Sequence, residues 1–179
     1  MESLIKATKN REFPASILVV ITNNALASGI HLAKNYNIPV KIFDKKKFNK
    51  KQFEINSQKV LSDLNIEMIC LAGFMQILSK KFINSWLNKI INIHPSYLPK
   101  NKGLNAQKQV IDEKASFTGC TVHFVDVEID AGKIILQEKV KVMREDSVQT
   151  LSDRILQREH VIYPRALEQI ANDIIKLRN

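Results

Sequence analysis

A chain of 179 residues, 45% apolar and 25% charged, has the size and balance of one globular domain with a sizeable core. No apolar run approaches the ~20 residues of a membrane helix, and the start, Met1-Glu2-Ser3, has neither the basic nor the apolar region of a secretory signal. The net charge of +9 invites a nucleic-acid reading, but the 27 basic residues are mostly lysines scattered among acids, which excludes neither polycarboxylate nor phosphorylated substrates and argues against nucleic acid and membrane as partners.

The densest basic cluster, Lys45-Lys46-Lys47 followed by Lys50 and Lys51, lacks the array of aromatics that stacks bases and reads as a solvated face. Cys70 and Cys120 sit inside apolar runs and read as unpaired core residues of a reduced, cytoplasmic protein.

Residues 1–10 read as a helix with Leu4 and Ile5 inside. Residues 17–22 (ILVVIT) form a continuous apolar run, the pattern of a parallel strand buried on both faces. Asn23-Asn24 is expected to cap a helix reaching about Tyr36, and residues 39–43 form the next short strand. A Lys-rich helix over 48–65 has Phe53, Val60, Leu61 and Leu64 as its candidate inner face. Residues 66–72 (IEMICLA) are another buried strand closed by Gly73, and a short helix over 79–86 leads to the apolar run Ile90, Ile91, Ile93. This alternation predicts an α/β fold with a doubly wound, mostly parallel sheet.

The second half changes character. After a loop with Pro99 and Gly103 and a short polar helix, an apolar strand runs through 122–125, and residues 134–142 (IILQEKVKV) alternate in part, as an antiparallel edge strand would. Asp146-Ser-Val-Gln149 has the form of a capping box opening a helix with Val148, Leu151 and Ile155. Pro164 is expected to end or kink it, leaving 166–177 as the last helical piece.

The chemistry concentrates between Ile90 and Gly132. Asn92 and His94 stand two apart and point the same way on an extended strand, and Asp130 lies just past the second strand. Polar groups past strand ends are where open α/β sheets place their sites. Asn offers an amide N–H, His a neutral or charged N–H, and Asp a partner that can orient and charge the His. Plainer roles stay open for each: a turn residue before Pro95 for Asn92, a structural histidine for His94, an Asx turn before Gly132 for Asp130. His123, within VHFV, reads as packed and hydrogen-bonded behind these residues, while His31 and His160 read as structural. No metal-ligand spacing is present among the histidines and cysteines, so no metal is expected.

N-I-H-P-S-x-L-P (92–99), G-L-N-A (103–106), T-G-C-T-V-H-F-V-D (118–126) and D-A-G (130–132) together resemble the glycinamide ribonucleotide formyltransferases. The resemblance covers residues 1 to about 170. It implies a formyltransferase domain over 1–179 that carries a formyl group from the co-substrate 10-formyltetrahydrofolate to the amine of a glycinamide ribonucleotide in purine synthesis, with small molecules as its partners. A homodimer is compatible with it. It assigns Asn92, His94 and Asp130 to catalysis. Gly73-Phe-Met-Gln-Ile-Leu78 resembles the family's folate loop, so Met75, Gln76, Ile77 and Leu78, with Asn92, are expected to meet the folate. Gln76 stands where the family often has Arg, which weakens a charged contact with the folate tail. Lys50 matches a basic position facing that tail, though it also reads as a surface lysine; Glu159 matches a position near the ribose hydroxyls and reads equally as a surface acid.

The front departs from the pattern. The family begins with a strand and a Gly-Ser-Asn type loop that cradles phosphate; here Met1-Glu-Ser-Leu-Ile matches the helix after that loop. The expectation is a domain lacking that first strand and phosphate loop, through a start assigned too far downstream or through genuine shortening, the former preferred. A break in the sheet is then expected between the strand at Ile17 and those at Ile66 or Ile90. Other formyltetrahydrofolate enzymes, a hydrolase or a tRNA formyltransferase core, and a non-catalytic folate-binding remnant are the alternatives.

Overall fold

The computed structural model describes residues 1–177. They divide into two compact units, 1–67 and 68 onward.

The first unit is built on α1 (Glu2–Thr8), β1 (Val20–Thr22), α2 (Gly29–Asn35), β2 (Val40–Ile42) and α3 (Lys50–Asp63). Strands β1 and β2 pair in parallel with Val20 opposite Val40. Ile5, Ala33 and Ile38 form the buried cluster, with Met1, Val20, Leu32 and Val40 packed around it. The strand expected over 17–22 is shorter, because its ladder to β2 starts only at Val20. The helix expected from Asn23 starts at Gly29 instead. Asn24 spends its side chain on the Leu26 N–H in an Asx turn, and Thr22 accepts from the Asn24 N–H, so this stretch turns before any helix begins. Helix α3 has a reciprocal cap, with Asn49 and Gln52 each accepting from the other's backbone N–H. Its inner face holds Phe53 and Leu61 as expected, but also Glu54 and Ser57, while Leu64 is exposed. Phe48, the aromatic inside the lysine cluster, lies edge-on against Phe43.

The second unit contains β3 (Ile69–Leu71), α4 (Lys80–Ser85), β4 (Ile90–His94), α5 (Ala106–Asp112), β5 (Phe117–Phe124), β6 (Ile134–Lys141) and α6 (Val148–Lys176). Its sheet has the order β3-β4-β5-β6. β3 and β4 are parallel, whereas β5 is antiparallel to both its neighbours, so the edge strand β6 lies in an antiparallel ladder as expected. β5 begins at Phe117, five residues before the stretch expected from apolar content, because Thr118 to Thr121 pair fully with β6. The fold is α/β, with its strands in two separate sheets; among the described residues no ladder joins β1 to β3.

Ile90, Ile91, Val122, Leu151 and Ile155 are essentially inaccessible, and α6 packs along β5 and β6. Burial of each such aliphatic contributes roughly 1.5–3 kcal/mol. Two expectations about α6 are corrected. Its N-cap is Ser147, boxed with Thr150, because Asp146 is taken by a two-pronged pair with Arg154 at 2.7 Å. Arg154 holds the Asp146 carboxyl well below the usual carboxylate range. Pro164 does not end the helix, which runs through it. The missing N–H costs one hydrogen bond, but Ile162, Tyr163, Ala166 and Leu167 are buried on both sides and hold the flanking turns. The Tyr163 hydroxyl shares its proton between the Leu71 and Ile91 carbonyls, at 2.7 and 3.1 Å, and so ties α6 to the ends of β3 and β4.

Candidate active site

Strand alternation puts Asn92 and His94 of β4 on one face. Across the ladder Asn92 stands opposite His123 and His94 opposite Thr121. The loop between β5 and β6 brings Asp130 to the same place, in a left-handed conformation with φ of 50°. Asp130 therefore joins the strand residues that the sequence places far from it.

His94 is 5% exposed. Its Nε2 lies 2.9 Å from the Asn101 carbonyl oxygen, and its Nδ1 lies 3.3 Å from Asp130 Oδ2. A carbonyl can only accept, so Nε2 carries the proton of its bond to Asn101. Asp130 is fixed from a second direction, because its Oδ2 also accepts the Gly103 N–H at 2.9 Å. Gly103 itself has φ of 76°, which a residue with a side chain rarely adopts.

His123 plays the opposite part. Its Nδ1–H donates to the Phe124 carbonyl at 2.8 Å, which leaves Nε2 bare. That nitrogen accepts a long bond, 3.5 Å, from Asn92 Nδ2. Burial pushes the His123 pKa down, against the Phe124 bond and the Asp130 charge, whose Oδ1 is 3.6 Å away and beyond hydrogen-bond reach. One carboxylate thus faces two histidines, at 3.3 and 3.6 Å. The second of them, His123, sets which way the Asn92 amide turns. Gly132 explains the D-A-G pattern: a Cβ there would collide with the Phe124 carbonyl, so only glycine lets the Asp130 loop return to β5.

A stability consequence follows for His123. Its folded pKa lies below the ordinary histidine value of about 6.5. Below that pH the unfolded chain takes up a proton that the folded chain refuses, so stability falls as the solution is acidified. His123→Gln is expected to flatten this slope. Urea unfolding of both proteins at pH 7.5 and pH 5 checks it; equal slopes contradict a neutral buried His123.

The loop over 72–79 leaves β3 after Leu71, which is opposite Asn92 in the ladder. Leu78 is buried and Gln76 half-buried, whereas Met75 and Ile77 are 77% and 61% exposed. Glu159 lies half-buried on α6, where burial pushes its carboxyl pKa up; the hydrogen bonds of Asn92, His94 and Asp130 do not include it. Lys50 is the exposed first residue of α3, in the other unit. Among the described residues no group of three or more His, Cys, Asp or Glu is arranged to hold a metal ion, and no helix is long and apolar enough to cross a membrane. Sequence reasoning misses the two main-chain partners, the Asn101 carbonyl and the Gly103 N–H. The signal that points to them is the Asn-x-Gly turn at 101–103, which favours left-handed backbone.

The formyl transferase family model matches residues 1–167, and the chain belongs to that family. It is 37% identical over 180 residues to phosphoribosylglycinamide formyltransferase of Haemophilus influenzae, covering all of this chain and 85% of that protein. It is 43% identical over 178 residues to the bovine trifunctional purine biosynthetic protein adenosine-3, covering 99% of this chain but only 18% of that much longer relative. Among solved structures, phosphoribosylglycinamide formyltransferase from Anaplasma phagocytophilum superimposes with a TM-score of 0.90 at 45% identity, over 96% of this chain and 80% of that one. Glycinamide ribonucleotide transformylase 1 from Symbiobacterium toebii gives 0.92 at 34% identity, over 96% and 82%. The Rossmann-like α/β fold of these enzymes is the fold of this chain.

Proposed function

We propose that the protein transfers the formyl group of 10-formyltetrahydrofolate to the amine of 5'-phosphoribosylglycinamide, a step of de novo purine biosynthesis. The observation that carries this reading is the His94 ring held between the Asp130 carboxylate and the Asn101 carbonyl, beside the Asn92 amide. Attack of an amine on a formyl carbon places negative charge on the carbonyl oxygen, and the step is accelerated by donors already aimed at that charge. Asn92 has a second amide N–H beyond the one given to His123. His94 contributes its Nε2–H, with the Asp130 carboxylate 3.3 Å from Nδ1 orienting the ring, and that N–H reaches the oxyanion by exchanging the Asn101 carbonyl for it. The new C–N bond forms first and gives the tetrahedral oxyanion, whose collapse breaks the bond from the formyl carbon to the folate nitrogen. The proton lost by the attacking amine passes, through water guided by Asp130, to the departing nitrogen. The amine is the nucleophile, so no Ser or Cys is called on.

The exposed Met75 and Ile77 suit a slot for a flat, largely apolar ring at the strand ends, with Gln76, the Leu78 backbone and Asn92 beside it. Glu159 faces the ribose hydroxyls in this reading; a carboxyl perturbed by burial fits a binding position. The family match spans both units and supports taking 1–179 as one formyltransferase domain. The free thiols of Cys70 and Cys120, the latter pushed up to about 12 by burial, fit a reducing, cytoplasmic setting.

Consumption of 10-formyltetrahydrofolate by the purified protein, with and without the ribonucleotide, tests the assignment. Consumption that requires the amine is expected. Formate release without amine would make the protein a hydrolase, and folate binding without turnover would make it a non-catalytic binder.

A further inference from the structure

The loop that carries the Asn101 carbonyl is itself held from the edge strand of the sheet. His94, Thr121 and Gln137 form one row across β4, β5 and β6, since Thr121 is opposite both His94 and Gln137 in the two ladders. Thr121 is inaccessible, and its hydroxyl makes three bonds. It accepts from the Leu98 N–H at 3.1 Å and from Gln137 Nε2 at 2.9 Å, and donates to the Ser96 carbonyl at 2.8 Å. The second proton of Gln137 Nε2 goes to the Leu98 carbonyl at 2.8 Å. Two side chains therefore satisfy three main-chain groups of the segment between Ser96 and Leu98, and the amide nitrogen of Gln137 has both protons committed. The hold is passed on within the loop, where the Ser96 hydroxyl donates to the Lys100 carbonyl at 2.6 Å, one residue before Asn101. The Asn101 amide is anchored at its other side by the Glu113 carboxylate at 3.0 Å.

We propose that Gln137, acting through Thr121 and Leu98, is a positioning residue for His94: it fixes the loop so that the Asn101 carbonyl meets Nε2 and holds the ring in place until the oxyanion takes over that bond. Gln137 lies on the edge strand and makes no direct bond to Asn92, His94 or Asp130. With the loop released, Nε2 loses its acceptor and the ring is free to turn away from Asp130. A displacement of about 1 Å at a catalytic group can cost up to about a hundredfold in rate. Substrate contacts elsewhere are unaffected, so the loss falls on kcat rather than KM. The inference rests on the formyl-transfer reading for its kinetic arm but not for its structural one.

The test uses the full chain with Gln137→Leu and, as a second variant that keeps side-chain shape, Thr121→Val. Heteronuclear NMR of the His94 ring and steady-state kinetics with both substrates are measured on each. Gln137→Leu is expected to lower kcat about tenfold with both KM values within about twofold, and to shift or broaden the His94 Nε2–H signal. Thr121→Val is expected to do the same, and Thr121→Ser to restore the parent signal and rate. A folded Gln137→Leu with an unaltered Nε2–H signal and unaltered kcat overturns the proposal, as does a change confined to KM. If Gln137→Leu does not fold, Thr121→Val against Thr121→Ser decides by the same readouts. His94→Ala tests the parent reading separately: full transfer activity in that variant removes His94 from the reaction while leaving the Nε2–H response to Gln137→Leu as the measure of the structural link.

Discussion

Asp130→Asn is expected to lower turnover by about 10²–10³-fold, the range seen when a donor to a developing oxyanion is lost, while leaving folate affinity nearly unchanged. The reason lies in the charge that is lost. One carboxylate oxygen, Oδ2, lies 3.3 Å from His94 Nδ1 and accepts the Gly103 N–H. An asparagine whose carbonyl oxygen takes the place of Oδ2 still accepts from Gly103, and its amide nitrogen then takes the place of Oδ1 on the side of His123 Nε2. The His94 ring keeps the Asn101 carbonyl at Nε2 but loses the negative charge beside Nδ1. The variant thus separates charge from geometry. Nitrogen-15 shifts of the His94 ring at neutral pH report the change directly, and kcat reports its consequence. An unchanged ring spectrum with unchanged kcat would remove Asp130 from the mechanism.

Asn92→Ala is the second large effect. The amide is held from behind by His123, 3.5 Å away, and carries a free N–H on the side of β4 that His94 shares. Truncation removes a neutral donor without touching His94 or Asp130. A loss of about 10²–10³ in kcat is expected, with the protein still folded, since Asn92 is only half-buried. Its second consequence is at His123, whose bare Nε2 loses its donor. Stopped-flow measurement of a single turnover separates the chemical step from product release, and a single-turnover rate equal to that of the parent would contradict a donor role.

Much of this site is legible in the amino-acid sequence. Strand alternation alone puts Asn92 and His94 on one face, and the ladder to His123 and Thr121 shows them there. Gly132 marks a close approach, which its contact with the Phe124 carbonyl explains. Asp130 can be joined to His94 only through the spacing of several motifs, because nothing local relates residues so far apart in sequence. The roles of Thr121 and Gln137 are not legible, since they depend on the register of three strands and on the irregularity between Val122 and His123 in the β5–β6 ladder. Local rules fail where tertiary contacts outweigh them. Asp146 has the pattern of a cap but pairs with Arg154, and Pro164 has the pattern of a stop but lies inside a helix that continues past it to Lys176. Asn24 fails for the opposite reason, as its side chain closes a local turn before a helix can start.

The central claim is that this His94–Asp130–Asn92 arrangement moves a formyl group onto an amine. Following a carbon-13 label on the formyl carbon of 10-formyltetrahydrofolate by NMR, with 5'-phosphoribosylglycinamide present, tests it most directly. The label is expected to appear as a formamide on the ribonucleotide with the parent protein and to stay on the folate with His94→Ala. Label released as free formate, or carried to the ribonucleotide equally well without His94, would contradict the account.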